Sequence, residues 1–515
     1  MKKDNILAVS VLLLAIFLCS LFSFKEGVLS ISLFSIFFSI IGISIVQVAS
    51  KGFNKNYLMK VFLWGYSLRV LTAIGLYLFL VTFRGEPFLG GGDDYNYNIV
   101  GNRVGEFWAH YGLCSLEATS LRRTTLAWIA NPGYFYVVAF FYYISHYLGG
   151  GHLLVPIFLN CLLGGLIPIF VYKVTLRVYG NQEMSKISAL LAAFLPNMVL
   201  FSSVLLKDMI IVFLITLIIW YIIKFYLDGG VYSLIMLFLS AVPLIYFRKL
   251  VLFVLFISIG LFFLWTSFFS KKKKVTRVPV AIFTIIGIGL LFSLYPKQNL
   301  YEQSPSFVGF ISPEIIKSRV FFNIQRAINL PESLGGESLT KIAYTSPWYL
   351  ELLLRPLALL IVPFPPWRLL FDRPLPDSAN IVYFPGTLVW YILMPLFVFG
   401  IIHSVRFIIR EKSPPASFIC GLTLILFFAI ASYEITLRYR LMCMPSAIIL
   451  IAMEISHHLR PKDLVPFYVT FYSLLTTTYI FLKYKNVFPI QFLFMVGSIF
   501  LITAYFMWKR PFLRR

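Results

Sequence analysis

The chain has 515 residues, of which 59% are hydrophobic and only 13% charged, and its mean hydropathy is +0.85. Soluble domains average about 25% charged residues, so the composition excludes a soluble enzyme and predicts an all-α polytopic membrane protein, one integral membrane domain over 1–515. The net charge of +23 does not point to nucleic acid, because Lys and Arg gather in short segments beside apolar spans, as the positive-inside rule describes.

Stretches of about 20 apolar residues can cross a bilayer. In chain order they fall near 6–24, 28–49, 61–83, 153–173, 187–205, 209–225, 232–247, 250–270, 277–295, 384–404, 414–432, 441–458, 464–482 and 488–507, about 14 spans in all. Met1-Lys2-Lys3 and the apolar run behind it lack a small-x-small cleavage site, so 6–24 is expected to be a retained first helix.

The run Lys271–Lys274 anchors the topology on the cytoplasmic side, with Lys51, Arg177, Arg410 and the tail at Arg514. Walking outward from these anchors leaves Asp93-Asp94, Lys207-Asp208, Arg248 and Arg438/Arg440 on the other side. The walks from the two ends agree only if the short apolar stretch Pro132–Leu148 does not cross. A segment at 349–366, with Pro356, Pro363, Pro365 and Pro366, reads as broken or re-entrant. The expected map has both termini inside a cell (inner) membrane and two large outer loops, 84–152 and 296–383.

The outer side is where polar chemistry collects. Three glycines, Gly90 to Gly92, precede Asp93-Asp94, adjacent carboxylates that repel unless solvated, bound to a cation or partly protonated. Each Lys or Arg at a helix end can snorkel and is by default an interfacial anchor, but Asp208 cannot reach far and is a functional candidate. A carboxylate can take the proton of an acceptor hydroxyl. Arg, Lys or a divalent ion can stabilise the charge that develops on a phosphate leaving group, such as that of a lipid-linked phosphosugar. The five cysteines and six histidines show no metal-ligand spacing, and Trp348, Trp367 and Arg368 read as interfacial.

Asp93-Asp94-Tyr95-Asn96-Tyr97, opening the first outer loop, resembles the acidic motif of the GT-C superfamily of membrane glycosyltransferases, among them the protein O-mannosyltransferases and aminoarabinose transferases. Asn131-Pro132-Gly133-Tyr134 is similar to the start of their juxtamembrane helix, Leu206-Lys207-Asp208 to their second acidic position, and Arg438-Tyr439-Arg440-Leu441 with Pro445 to their late Arg-Tyr-Arg-Leu-Pro pattern. Two spans precede the one that comes first in the family, and Gly133 replaces its second proline.

The resemblance implies a polyprenyl-phosphate sugar donor, a glycan, lipid or protein acceptor, and inversion at the anomeric carbon. Asp93 or Asp94 would be the general base. The other carboxylate, Asp94 in one assignment, would join Asp208 in holding a divalent cation (Mg or Mn) or orienting the acceptor. Lys207, Arg248, Arg438, Arg440 and Tyr97 would bind substrate. Two other classes remain open: a polymerase or ligase acting on undecaprenyl-diphosphate-linked glycans, which would lean on the arginines, and a transporter, for which Arg69 is one mid-span charge.

Overall fold

The computed structural model describes residues 28–89, 92–113, 133–269, 355–356, 359–360, 378–433 and 437–457. The predicted spans at 6–24, 277–295, 464–482 and 488–507, the Lys271–Lys274 anchor and most of 296–383 lie outside these residues. So do Asn131, Pro132, Trp348, Trp367 and Arg368.

The described elements are all helical. They run α1 (Val28–Ala49), α2 (Lys55–Arg84), α3 (Asp93–Tyr111), α4 (Gly133–His146), α5 (Leu154–Tyr179), α6 (Gln182–Phe194), α7 (Pro196–Ser202) and α8 (Asp208–Asp228). Then follow α9 (Val231–Ala241), α10 (Leu244–Phe247), α11 (Lys249–Phe269), α12 (Ser378–Glu411), α13 (Pro414–Tyr433), α14 (Leu437–Arg440), a 3-10 turn at Leu441–Cys443, and α15 (Met444–His457). Among the described residues, eight helices are long and apolar enough to cross a membrane, or nine if α6 and α7 form one bent span. The chain is a multi-pass membrane protein.

α5 is the hub. It packs against α1, α2, α6 and α8 and is apolar on every face, as a helix enclosed by others must be. α1 lies at the periphery, where Phe37, Ile40 and Val48 are exposed as lipid-facing residues would be. A second group, α12 with α15 and α11 with α13, completes the bundle, and α15 also packs on α6. Within this second group a buried pair, His403 Nδ1 with Glu454 Oε2, joins α12 to α15.

The stretch read as a span at 187–205 is broken. α6 and α7 meet at 47° across Leu195, because Pro196 has no N–H to give the carbonyl of Ala192. Arg69, fully buried in α2, supplies the missing donors: Nη2 reaches Ala192 O at 3.0 Å, and Nη1 reaches Ala193 O at 2.7 Å and Gly65 O at 2.8 Å. Its positive charge also faces the negative end of α6. The mid-span charge is thus a helix-break cap. Replacing Arg69 by Leu leaves those carbonyls without their donor in an apolar interior and is expected to cost about 2–4 kcal/mol. A thermal melt of the purified variant in detergent, several degrees below wild type, is the check; an unchanged midpoint would refute the assignment.

The stretch read as a span at 232–247 also differs. Pro243 divides it into α9 and α10, and the two together are shorter than the other crossing helices. The stretch that was expected not to cross holds α4, 14 residues and roughly 21 Å long, short of a hydrocarbon core of about 30 Å. α4 packs on α3 instead. Gly101 and Gly105 permit it: a Cβ at Gly105 would meet Tyr142 Cβ at 2.7 Å and Ala139 O at 2.8 Å. The Tyr142 hydroxyl donates to Asn98 Oδ1 across the same seam.

Candidate functional site

Gly92 takes φ of 78°, a conformation that side-chain-bearing residues resist, and so turns the chain into α3 with both aspartates in its first turn. Neighbours on a helix point about 100° apart, and the two carboxylates separate accordingly. Asp94 is buried and turns back: Oδ2 accepts from the Leu89 amide at 2.7 Å, Oδ1 from its neighbour Tyr95 at 3.0 Å. Asp93 points the other way, half exposed, and accepts from Arg438 Nη1.

Asp208 arrives from the far side of the bundle. Ser203 Oγ bonds to Arg69 O at 2.9 Å, and Asn160 of α5 donates to the carbonyls of Val204 and Leu206, each at 2.9 Å. That turn sets Asp208 at the start of α8, where its side chain is fully buried. It does not cap its own helix. Oδ2 accepts from Arg438 Nε, and Oδ1 lies 3.5 Å from Arg248 Nη1.

Arg438 therefore bridges two carboxylates from different helices, α3 and α8, one sealed and one open. Arg248, just before α11, has its guanidinium 3.9 Å above the Tyr439 ring, a cation–π contact that fixes its plane. It also lines a shallow apolar groove between α11 and α13, walled by Leu250, Val251, Val254, Leu426, Ile430 and Met442. Lys207 lies beside the cluster. Burial and then the Arg248 charge push its ammonium down to about 8, against the partial support of Asp208.

Tyr97 belongs to the same cluster. Its ring packs on Tyr134 and Phe135 of α4, both with centroids at 4.7 Å. Burial foremost, and then Asp93, holds its hydroxyl well above the ordinary phenol range, so it stays protonated. The Tyr134 hydroxyl accepts from Asn160 Nδ2 at 3.0 Å, which links the α3–α4 pair to the Asp208 turn.

The structure thus brings together Asp93, Asp208, Lys207, Arg248, Arg438 and Tyr97. Asp94 is at the edge, engaged with backbone. Arg440 faces away: its guanidinium lies 4.3 Å over the Trp390 ring and Nη1 donates to Leu360 O at 3.2 Å. Sequence reading missed Asn160, whose signal was a lone amide inside an apolar span, and Tyr439, passed over as part of a motif.

A divalent ion such as Mg prefers six oxygen ligands. Here both Asp94 oxygens take backbone amides, Asp208 faces two guanidiniums, and among the described residues no three His, Cys, Asp or Glu side chains converge. This donor set does not fit the expected cation between Asp94 and Asp208.

No family model matches the chain, and no curated protein matches it. Among solved structures it is similar to the oligosaccharyltransferase of Archaeoglobus fulgidus with zinc and sulfate, at 17% identity and TM-score 0.46 over 83% of this chain and 52% of that one. It is also similar to archaeal oligosaccharyltransferase AglB of the same organism with an inhibitory peptide and a dolichol-phosphate (16%, TM-score 0.45, 84% and 55%). The apo form of that organism's enzyme is similar too (15%, TM-score 0.47, 84% and 55%). The chain spans about half the length of these solved chains.

Proposed function

We propose that the chain is a membrane glycosyltransferase of the GT-C type, moving a sugar from a polyprenyl-phosphate donor to a hydroxyl of a glycan, lipid or protein acceptor on the non-cytoplasmic side. One observation carries this reading. Arg248 belongs at once to the carboxylate cluster and to the wall of a shallow apolar groove, so an anionic head bound there meets apolar side chains that suit a lipid tail.

In that arrangement Asp93, the exposed carboxylate, takes the proton of the acceptor hydroxyl. The hydroxyl oxygen bonds to the anomeric carbon, and the bond from that carbon to the phosphate oxygen breaks on the opposite side. Its electron pair goes to the phosphate, and Arg248 and Lys207 stabilise the added charge. Attack opposite the leaving group inverts the centre. Asp208 keeps the guanidiniums in place. The donor set favours these side-chain cations over a metal ion.

The test is transfer by purified protein from a panel of labelled polyprenyl-phosphate and polyprenyl-diphosphate sugars. Transfer from the monophosphate class supports the reading. Use of diphosphate donors alone would move the chain to the polymerase or ligase class, and no transfer or binding of either removes it.

Lys207 gives a pH signature. A phosphate ligand is held better by the ammonium than by the amine, so donor affinity is full below about 8 and falls as pH rises through it. An ordinary lysine would lose its charge only near about 10.4. Donor dissociation constants measured from pH 6.5 to 9.5 (roughly the span that brackets a pKa near 8) should weaken severalfold in wild type and stay nearly flat in Lys207→Arg. Parallel curves would show that Lys207 does not meet the phosphate.

A further inference from the structure

We infer that Arg438 is a latch on the base, and that the donor phosphate releases it; this rests on the donor reading above. The two ends of the Arg438 bridge are unequal. Asp208 is fully buried and faces a second guanidinium, Arg248 at 3.5 Å, so it keeps a cationic partner whatever Arg438 does. Asp93 is 49% exposed, and Arg438 itself 22%, so this end of the bridge opens to solvent and to a ligand.

The Asp93 oxygen that accepts from Arg438 is engaged on that side and is not open to an incoming acceptor hydroxyl while latched. A phosphate oxygen arriving beside Arg248 competes with Asp93 for the same guanidinium, which binds phosphate and carboxylate by the same fork. Arg438 remains tied to Asp208 through Nε, so only its Nη1 side needs to change partner. Exchange of that one ion pair frees Asp93 only when the donor is in place. Without donor, the base stays masked.

The consequence runs against the usual effect of removing a site residue. Asp93→Asn removes the charge that competes for Arg438 and should therefore bind undecaprenyl phosphate more tightly than wild type, by roughly two- to fivefold. The measurement is binding of undecaprenyl phosphate to full-length protein in detergent micelles, with thermal melts to confirm folding. A second readout needs no variant: carbodiimide labelling of Asp93 in wild type should rise when undecaprenyl phosphate is added. Tighter binding with increased labelling supports the latch. Unchanged or weaker binding by folded Asp93→Asn, or labelling that stays constant or falls, overturns it and leaves the donor reading standing if wild type still binds. Failure of wild type to bind undecaprenyl phosphate overturns both.

Discussion

Asp208→Asn is expected to lower stability by about 3–5 kcal/mol, the range for breaking a buried ion pair by removing one partner. The carboxylate is fully buried and carries the charge that faces Arg438 and Arg248. An amide of the same shape leaves two guanidiniums close together with no sealed counter-charge. Arg248 is itself buried, and it stands 3.9 Å over Tyr439 with little room to swing into water. Thermal unfolding in detergent reads the loss. Combining Asp208→Asn with Arg248→Met should recover part of it, because the second change removes one stranded charge. Simple additivity of the two losses would mean that the charges do not act on each other.

The same residues mark how far the sequence could be read. Alternation of apolar spans with basic segments grouped Asp93, Lys207-Asp208, Arg248 and Arg438 at one end of the bundle, because parity along a membrane chain needs no tertiary knowledge. It could not separate Asp93 from Asp94 or Arg438 from Arg440. Those choices depend on a rotation of about 100° or twice that around a helix, fixed by what the helix packs on. The Asp93–Arg438 pair joins residues 345 apart in the chain, a distance no local pattern encodes.

Prolines were only half legible. Pro196 and Pro243 stood plainly inside predicted spans, yet a proline in a membrane helix signals a break only if something else satisfies the freed carbonyls. That something was Arg69, 124 residues before Ala193. Its charge looked like a transport element because the break it caps is formed by another helix. The lone Asn160 is a similar case: the two N–H groups of its Nδ2, shared among the oxygens of Tyr134, Val204 and Leu206, make it the brace of the Asp208 turn.

Asp93→Asn and Asp94→Ala should part company. Asp93→Asn removes the one carboxylate of the cluster that, among the described residues, is open to an acceptor, and sugar transfer is expected to fall by about 10²- to 10⁴-fold, the usual contribution of a positioned base. Its folding should change little, since the lost pair is partly exposed and such pairs contribute about 0–1 kcal/mol. With donor binding tightened by the freed Arg438, the apparent donor KM should drop along with kcat. Asp94→Ala does the reverse. It deletes the acceptor for the Leu89 and Tyr95 amides and should cost about 1–2 kcal/mol, loosening the turn that aims Asp93. Transfer then declines modestly and through misplacement, so lowering the temperature should restore part of it. If Asp94→Ala abolished transfer in a protein that melts like wild type, the base would be Asp94, and the exposed carboxylate on Arg438 would be its brace.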